Sequence, residues 1–147
     1  MQDNEYDLPP PDAGWQKLGK SPFTDLSGPF FSTSMNLGSD EPIRIGFRVA
    51  PKHCNGIEIC HGGMMATFLD MALGLAVRAG VKNIGPSPTM NMTVDFLSAA
   101  VVGDWIESRS RLVHTTYKSA FIDTVALGPK GPVARANGIF RLTRPKS

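Results

Sequence analysis

Residues 61–77 read HGGMMATFLDMALGLAV, and Asp70 is the only charged side chain in this stretch. The apolar run predicts a helix over about residues 62–79, which Gly80 ends. Because nearly every side of this helix is apolar, we expect it to be buried rather than to lie on the surface. The rest of the domain must therefore wrap around it.

Strands are predicted on both sides of the helix. Residues 43–50 alternate well, with Ile43, Ile45, Phe47 and Val49 on one face. The full set of predicted strands covers residues 29–37, 43–50, 89–97, 105–115, 119–127 and 132–142, and a turn at 128–131 joins the last two. This order predicts an α+β fold, with a curved antiparallel sheet of about six strands wrapped around one long central helix. Exposed sheet edges predict pairing with a second copy.

Length, charge and composition indicate how many domains the chain forms and which classes of partner it does not bind. The 147 residues predict a single domain over 15–147, preceded by a flexible N-terminal tail at 1–14 that is acidic and proline-rich. Residues 15–28 are expected to form a short helix and then a loop. The net charge of +2, with no dense Lys/Arg run, argues against nucleic acid binding. With no secretory signal and no membrane-spanning run visible, we expect a cytoplasmic protein that does not bind membranes.

The start of the helix offers backbone amides. Gly62 and Gly63 have no side chains to block these groups, and amides in the first helical turn lack partners within the helix. Together with the helix dipole, they favour the negative charge that develops on an attacked ester or thioester carbonyl. An equally good interpretation is that the glycines only permit a tight turn and close packing.

Asp70 is an acid within an apolar helix, and it lies far from the His-Gly-Gly start of that helix. A carboxylate in an apolar helix is costly unless it is paired or solvated, and a functional site is a common reason to keep one. Asp70 follows His61 by nine residues, which is roughly 13–14 Å along a helix axis. If both act on one bond, one of them must come from a second copy whose helix runs antiparallel. Alternatively, a buried arginine or hydrogen bonds neutralise Asp70.

The histidines and cysteines allow several interpretations. His61 could act as a general base or cap the helix, and we favour the cap. The pairs His53-Cys54 and Cys60-His61 contain zinc-type ligands, but their spacing is not that of a recognised zinc knuckle, so no metal is predicted. A cysteine beside a histidine could be a nucleophile, although neither has an obvious orienting partner. His53 and His114 are expected in loops or on the surface.

Two segments resemble a known family. Residues 55–70, NGIEICHGGMMATFLD, resemble the hotdog-fold acyl-CoA thioesterases of the PaaI-like, phenylacetate-degradation branch, which carry an Asn, then His-Gly-Gly, then an Asp nine residues after the His. Residues 89–104, TMNMTVDFLSAAVVGD, resemble the strand that follows the helix in that family. The resemblance covers about residues 28–143. It departs at Glu58, where many members have a glycine.

The resemblance implies that the chain hydrolyses an acyl-CoA thioester to a free acid and CoA without a cofactor. It also implies a homodimer or homotetramer with active sites shared between subunits. Gly62 would donate its amide to the thioester carbonyl, and Asn55 and His61 would orient the substrate or water. Asp70 of the partner subunit would be the nucleophile or general base, and Thr89 would hold the water near it.

The substrate is expected to carry an apolar or aromatic acyl group. Its predicted binding residues are Gly63, Met64, Phe68 and Met90. One alternative function is a non-catalytic acyl-CoA-binding or regulatory hotdog protein, which would gain little from Asp70. Another is a hotdog dehydratase or hydratase, in which His61 and an acid would transfer protons at the acyl carbon.

Overall fold

The computed structural model describes residues 4–10, 14–33 and 42–146. Within these ranges the chain forms two short 3₁₀ turns, Glu5–Asp7 and Pro51–His53. Its helices are α1 (Pro22–Ser27) and α2 (Gly62–Gly80). Its strands are β1 (Gln16–Lys17), β2 (Phe31–Ser32), β3 (Ile45–Arg48), β4 (Thr89–Phe96), β5 (Trp105–Thr115), β6 (Ser119–Gly128) and β7 (Gly131–Arg141).

The strands form one antiparallel sheet in the order β1-β2-β3-β5-β6-β7-β4. The hairpins β5–β6 and β6–β7 make its long centre, and β4 returns after α2 to pair with β7 at one edge. The α+β prediction is confirmed, and the sheet has one more strand than expected. The additional strand, β1, lies within residues 15–28, where no strand is predicted, and it forms because Gln16 and Lys17 pair with β2.

Smaller differences occur in the N-terminal half. The short helix predicted within residues 15–28 lies at Pro22–Ser27, where Ser21 and Thr24 form a reciprocal capping box. The strand predicted at 29–37 is seen only as Phe31–Ser32, and residues 34–37 lie outside the described residues. The strand predicted at 43–50 is shorter, at Ile45–Arg48.

Helix α2 packs one face against the sheet. Its buried side chains recur every three or four residues, which places them on one side of the helix: Met65, Phe68, Leu69, Ala72, Leu73 and Val77. They meet Phe47, Ile106, Ile122 and Phe140 from the strands in one continuous core. Each of the larger side chains in this core contributes about 1.5–3 kcal/mol to the stability of the fold when fully buried. No helix in the described part of the chain is long and apolar enough to cross a membrane.

The expected burial of α2 is seen on one face in the single chain. Met64, Asp70, Met71 and Leu75 are only half-buried, because the sheet covers one face of the helix and leaves the opposite face partly open. Asp70 is therefore not the buried acid expected from its neighbours in the sequence.

The predicted N-terminal tail is described in part. Residues 1–3 and 11–13 lie outside the described residues. In the described part, Arg48 Nε donates a hydrogen bond of 3.0 Å to the Leu8 carbonyl. The flexibility of residues 1–14 and the single domain over 15–147 stay predictions.

Candidate active site

The loop that leads into α2 is a short hairpin closed by Cys54 and Cys60. Across it, the Asn55 N–H donates to the Ile59 carbonyl at 2.9 Å, and the Glu58 N–H donates to the Asn55 carbonyl at 3.0 Å. Oδ1 of Asn55 accepts from the N–H groups of Ile57 and Ile59 at 3.1 and 3.3 Å. Because its oxygen holds the turn, Asn55 can offer a ligand its side-chain NH₂ group.

Glu58 occupies the left-handed position of this turn, with φ of 62°. Glycine is common at such positions because a Cβ atom crowds the backbone there, which costs other residues about 1–2 kcal/mol. The sequence departs here from the glycine of the resembling family, yet the backbone adopts a conformation typical of glycine. The departure therefore adds strain and an exposed carboxylate to the loop.

His61 caps α2, in agreement with the interpretation favoured from its position in the sequence. Its Nδ1 accepts a hydrogen bond of 2.8 Å from the Gly63 N–H, and its carbonyl accepts from the Met65 N–H. Since Nδ1 is an acceptor, the neutral ring carries its proton on Nε2. The Gly63 amide, predicted to bind substrate, is thus already engaged. The Gly62 N–H has no acceptor among the described residues, so it remains available to a ligand.

A cavity of about 310 Å³ opens beside the Gly62 amide. The Phe96 ring lies over Gly62, so close that an added Cβ atom would meet it at 3.3 Å. Most of the wall is apolar, and it is formed by Asn55, Ile59, Cys60, Gly62, Met65, Phe96, Leu97, Ser98, Ala99, Ala100 and Val133. The cavity therefore combines two potential donors, the Gly62 amide and the Asn55 side chain, with an apolar surround, a combination typical of small-molecule sites.

Asp70 and Thr89 form a second polar cluster, farther along α2. Thr89, the first residue of β4, donates its hydroxyl to Oδ1 of Asp70 at 2.6 Å. A bulge between Thr89 and Asn91 shifts the β4–β7 register next to this contact. Among the described residues, no basic side chain forms an ion pair with Asp70. The alternative that a buried arginine neutralises Asp70 therefore has no support in the described chain.

The two clusters are separate within one chain. Gly62 and Asp70 lie eight residues apart on a continuous helix, which separates them by roughly 12 Å along its axis. Asn55 and Gly62 line one cavity, whereas Asp70 and Thr89 do not line it. A single chain thus holds the predicted catalytic residues as two groups, with Asn55, His61 and Gly62 at the start of α2 and Asp70 with Thr89 farther along.

The predicted substrate-binding residues are scattered. Phe68 is completely buried against Phe47, with ring centroids 4.9 Å apart, so it belongs to the core. Met64 is half-buried on the open face of α2, and Met90 is 62% exposed on β4. Met65 lines the cavity instead. Its position three residues after Gly62, one helical turn later, could have revealed this from the sequence.

His53 is buried, and the expectation of a surface or loop residue is wrong in this respect. Its Nδ1 accepts from the Ala50 N–H at 2.9 Å and its Nε2 lies 2.7 Å from the Ser27 carbonyl. Burial lowers the pKa of His53, because removal from water disfavours the charged ring. Both ring nitrogens are engaged. In the part of the chain that the structure describes, no three His, Cys, Asp or Glu residues cluster closely enough to hold a metal ion.

Comparison with known proteins assigns the family. Residues 58–128 match the thioesterase superfamily. The Pseudomonas aeruginosa protein named "Putative esterase PA0474" is 33% identical over 130 residues, which cover 88% of this chain and 95% of that protein. The chain belongs to the thioesterase superfamily. Membership supports thioester hydrolysis as its general class of reaction.

Solved structures agree with the hotdog fold of this thioesterase. A hypothetical thioesterase from Streptococcus pneumoniae, solved with coenzyme A, superposes with a TM-score of 0.70 at 20% identity, over 80% of this chain and 88% of that one. The PaaI protein of the Escherichia coli phenylacetic acid degradation operon gives 0.64 at 21% identity, over 68% and 71%. The predicted hotdog fold and the resemblance to PaaI-like thioesterases are thus confirmed.

Proposed function

We propose that this thioesterase hydrolyses an acyl-CoA thioester to a free acid and CoA, at a site shared between two copies of the chain. The observation that supports the proposal most strongly is that the polar groups form two separate clusters along α2. Unengaged donors lie at the start of α2, and the carboxylate lies about two turns later with its threonine partner. The coenzyme A bound to the Streptococcus pneumoniae thioesterase supports the choice of CoA esters.

The start of α2 would stabilise the developing oxyanion. The Gly62 N–H has no acceptor among the described residues and lies at the positive end of a 19-residue helix. A thioester carbonyl in the adjoining cavity would accept from this amide, and the hydrogen bond would strengthen as the oxygen gains negative charge. The NH₂ group of Asn55, which lines the same cavity, would orient the same substrate.

Asp70 of the partner subunit would supply the attack on the carbonyl carbon. As a general base it would take a proton from water while the water oxygen bonds to carbon; as a nucleophile its own oxygen would bond to carbon, and water would later hydrolyse the anhydride. In both routes the carbon–sulfur bond breaks and CoA leaves as a thiolate. Thr89 would hold Oδ1 and leave Oδ2 free to react.

Edge strand β4 provides the surface for pairing two copies. It forms the end of the sheet and carries large exposed apolar side chains, with Met90 62% and Phe96 60% exposed, and Leu97 follows it at 51%. Unpaired edges of this kind favour association with a second strand. A two-fold pair with antiparallel α2 helices would bring each Asp70 towards the partner's Gly62. A dimer, or a tetramer built from such dimers, is therefore proposed.

The geometry favours hydrolysis over the dehydratase alternative. A dehydratase of this fold would need His61 to remove a proton from carbon. Nδ1 of His61 accepts from Gly63 and Nε2 carries the ring proton, so the neutral ring has no lone pair left to act as a base. No contact among the described residues specifically favours the alternative of a non-catalytic acyl-CoA-binding protein. A cytoplasmic location and the absence of nucleic acid and membrane partners stay predictions.

Mixing two inactive variants tests the shared site. Asp70→Asn and Asn55→Ala would each lose most CoA release, measured on a panel of acyl-CoA esters. In a heterodimer of the two, one of the two sites would contain only wild-type residues. Statistical mixing should therefore restore about a quarter of wild-type activity.

Unfolding and refolding wild-type protein alone controls for losses during mixing. Active wild type with no recovery in verified heterodimers would contradict the shared site and leave hydrolysis intact. Wild type without CoA release from any ester of the panel would contradict the hydrolysis itself.

A further inference from the structure

Cys54 and Cys60 face each other across the hairpin that precedes α2. The flanking residues make the ladder bonds: Asn55 N–H to Ile59 carbonyl at 2.9 Å and His61 N–H to His53 carbonyl at 2.8 Å. The cysteines therefore form a non-hydrogen-bonded antiparallel pair. Directly opposed residues of this type have Cα atoms about 4.5 Å apart and side chains on the same face of the ladder.

This spacing lies within the range of about 4.4–6.8 Å between the Cα atoms of natural disulfides. Both cysteines are free thiols. Their sulfur atoms make only long contacts, from Cys54 Sγ to the Ala50 carbonyl at 3.6 Å and from Cys60 Sγ to the His61 carbonyl at 3.8 Å. Weak contacts of this kind would be given up at little cost if the sulfurs turned towards each other.

Each cysteine lines a separate cavity. Cys60 lines the cavity of about 310 Å³ beside Gly62. Cys54 lines a second cavity of about 600 Å³, on the side of the loop that carries Glu58. A small reagent can therefore approach the pair without unfolding the core.

We propose that Cys54 and Cys60 are a redox-active pair, which a low-molecular-weight disulfide oxidises to an intramolecular disulfide that cross-links the loop carrying Asn55. The thiolate of one cysteine attacks a sulfur of the reagent, which breaks the reagent's S–S bond and releases one thiol. The thiolate of the other cysteine then attacks the mixed disulfide and releases the second thiol. The protein loses two protons and two electrons, and the reagent gains them as two thiols.

The surroundings make this a slow reaction that gives a persistent product. Burial raises the pKa of Cys60 to about 12 and also raises the pKa of Cys54. Little thiolate is present at neutral pH, so oxidation should be slow and should accelerate with pH. Thiols of high pKa are also poor leaving groups, so the disulfide should be reduced slowly. The pair would respond to sustained oxidation rather than to a brief pulse.

Mass spectrometry of the full-length protein tests the proposal independently of catalysis. The protein is incubated with glutathione disulfide, and remaining thiols are then alkylated. We expect wild type to lose two hydrogens and to accept no alkyl group, with a rate that rises about tenfold per pH unit between about pH 7 and 9. Cys54→Ser and Cys60→Ser should each stop at one glutathione adduct. Wild-type protein that accumulates only glutathione adducts or disulfide-linked dimers would overturn the proposal.

Hydrogen exchange gives a second readout on the loop itself. In the disulfide form, the amides of Asn55 and His61 should exchange several-fold more slowly, because the cross-link limits opening of the hairpin. Dithiothreitol should reverse the change, and the two serine variants should not show it. Equal exchange in oxidised and reduced wild type would overturn the inference that the cross-link holds this loop.

Discussion

The two polar clusters on α2 are built in different ways. At its start, the groups are held by contacts that all involve the local backbone: the His61 side chain caps the first turn of the helix beside the Gly62 amide, and the hairpin ladder holds Asn55 in place. Farther along, Asp70 depends on one side-chain contact, the hydroxyl of Thr89. Backbone donors are positioned by the helix itself, whereas a carboxylate needs a partner from another element to hold its rotamer.

Because of this contrast, we expect substitutions in the two clusters to affect activity in different ways. Changes at the carboxylate cluster should reduce the rate of chemistry, and changes at the start of α2 should alter both substrate binding and chemistry. Changes to the loop backbone should affect stability alone.

Asp70→Asn should have the largest effect. The amide has the same shape but cannot take a proton from water or attack the carbonyl, so kcat for CoA release should fall by about 10²–10⁴-fold. Asp123→Asn is the matched control, since Asp123 lies on the sheet in an exposed ion pair with Arg111. It should retain wild-type kcat. Full activity in Asp70→Asn would contradict the assigned role of the carboxylate.

Asn55→Asp should have the second largest effect on activity. The new side chain keeps an oxygen for the Ile57 and Ile59 amides but loses the NH₂ donor, so the loop should fold normally while kcat/KM falls about 10–100-fold. Asn55→Ala should lose both the donor and the turn contacts, and therefore also lower Tm. If Asn55→Asp hydrolyses acyl-CoA as well as wild type, the NH₂ group does not contact the substrate.

Thr89→Val should lower kcat by a smaller factor, about tenfold, because it removes the hydrogen bond to Asp70 and leaves the carboxylate in place. KM should change little, since Thr89 does not line the cavity beside Gly62. Thr89→Ser retains a hydroxyl and should keep most of the activity. Full activity in Thr89→Val together with a loss in Thr89→Ser would indicate that the methyl group, and not the hydrogen bond, matters.

Glu58→Gly should have the smallest effect, and it should increase the stability of the protein rather than decrease it. Removing the Cβ atom from a residue with φ of 62° relieves strain, and the added freedom of the unfolded chain offsets part of the gain. The free energy of unfolding should rise by about 0.5–1 kcal/mol, measured by chemical denaturation. Glu58→Ala keeps the Cβ atom and should show no such gain. A glycine variant no more stable than the alanine variant would show that the turn is unstrained.

Much of the fold could be predicted from the sequence because its signals are local. The apolar run that gave α2, and the alternation and turn that gave β5, β6 and β7, depend only on nearby residues. Strand β1 is not predicted from the sequence, and β2 is predicted longer than its described two residues, because the conformation of each depends on pairing with a neighbour, β1 with β2 and β2 with β3, rather than on its own pattern.

The site was predictable where the chain itself fixes the geometry. Helical rise alone separates Asp70 from the His-Gly-Gly start of α2, and the cap by His61 follows from its position before the first turn. The cavity lining was harder, because Phe68 and Met65 look alike in the sequence. Both side chains are buried in the core, and Met65 also borders the cavity because it lies one helical turn after Gly62.

The long helix, the strands that follow it and the distance between the candidate catalytic groups follow from the amino-acid sequence alone, since they depend on the regular rise of one helix and on local hydrophobic patterns. The tertiary structure decided which face of α2 the sheet covers, and hence that Asp70 is half-exposed and bonded to Thr89. It also decided that the Gly62 amide opens into a cavity. These properties arise from contacts between elements far apart in the chain, which no local pattern encodes.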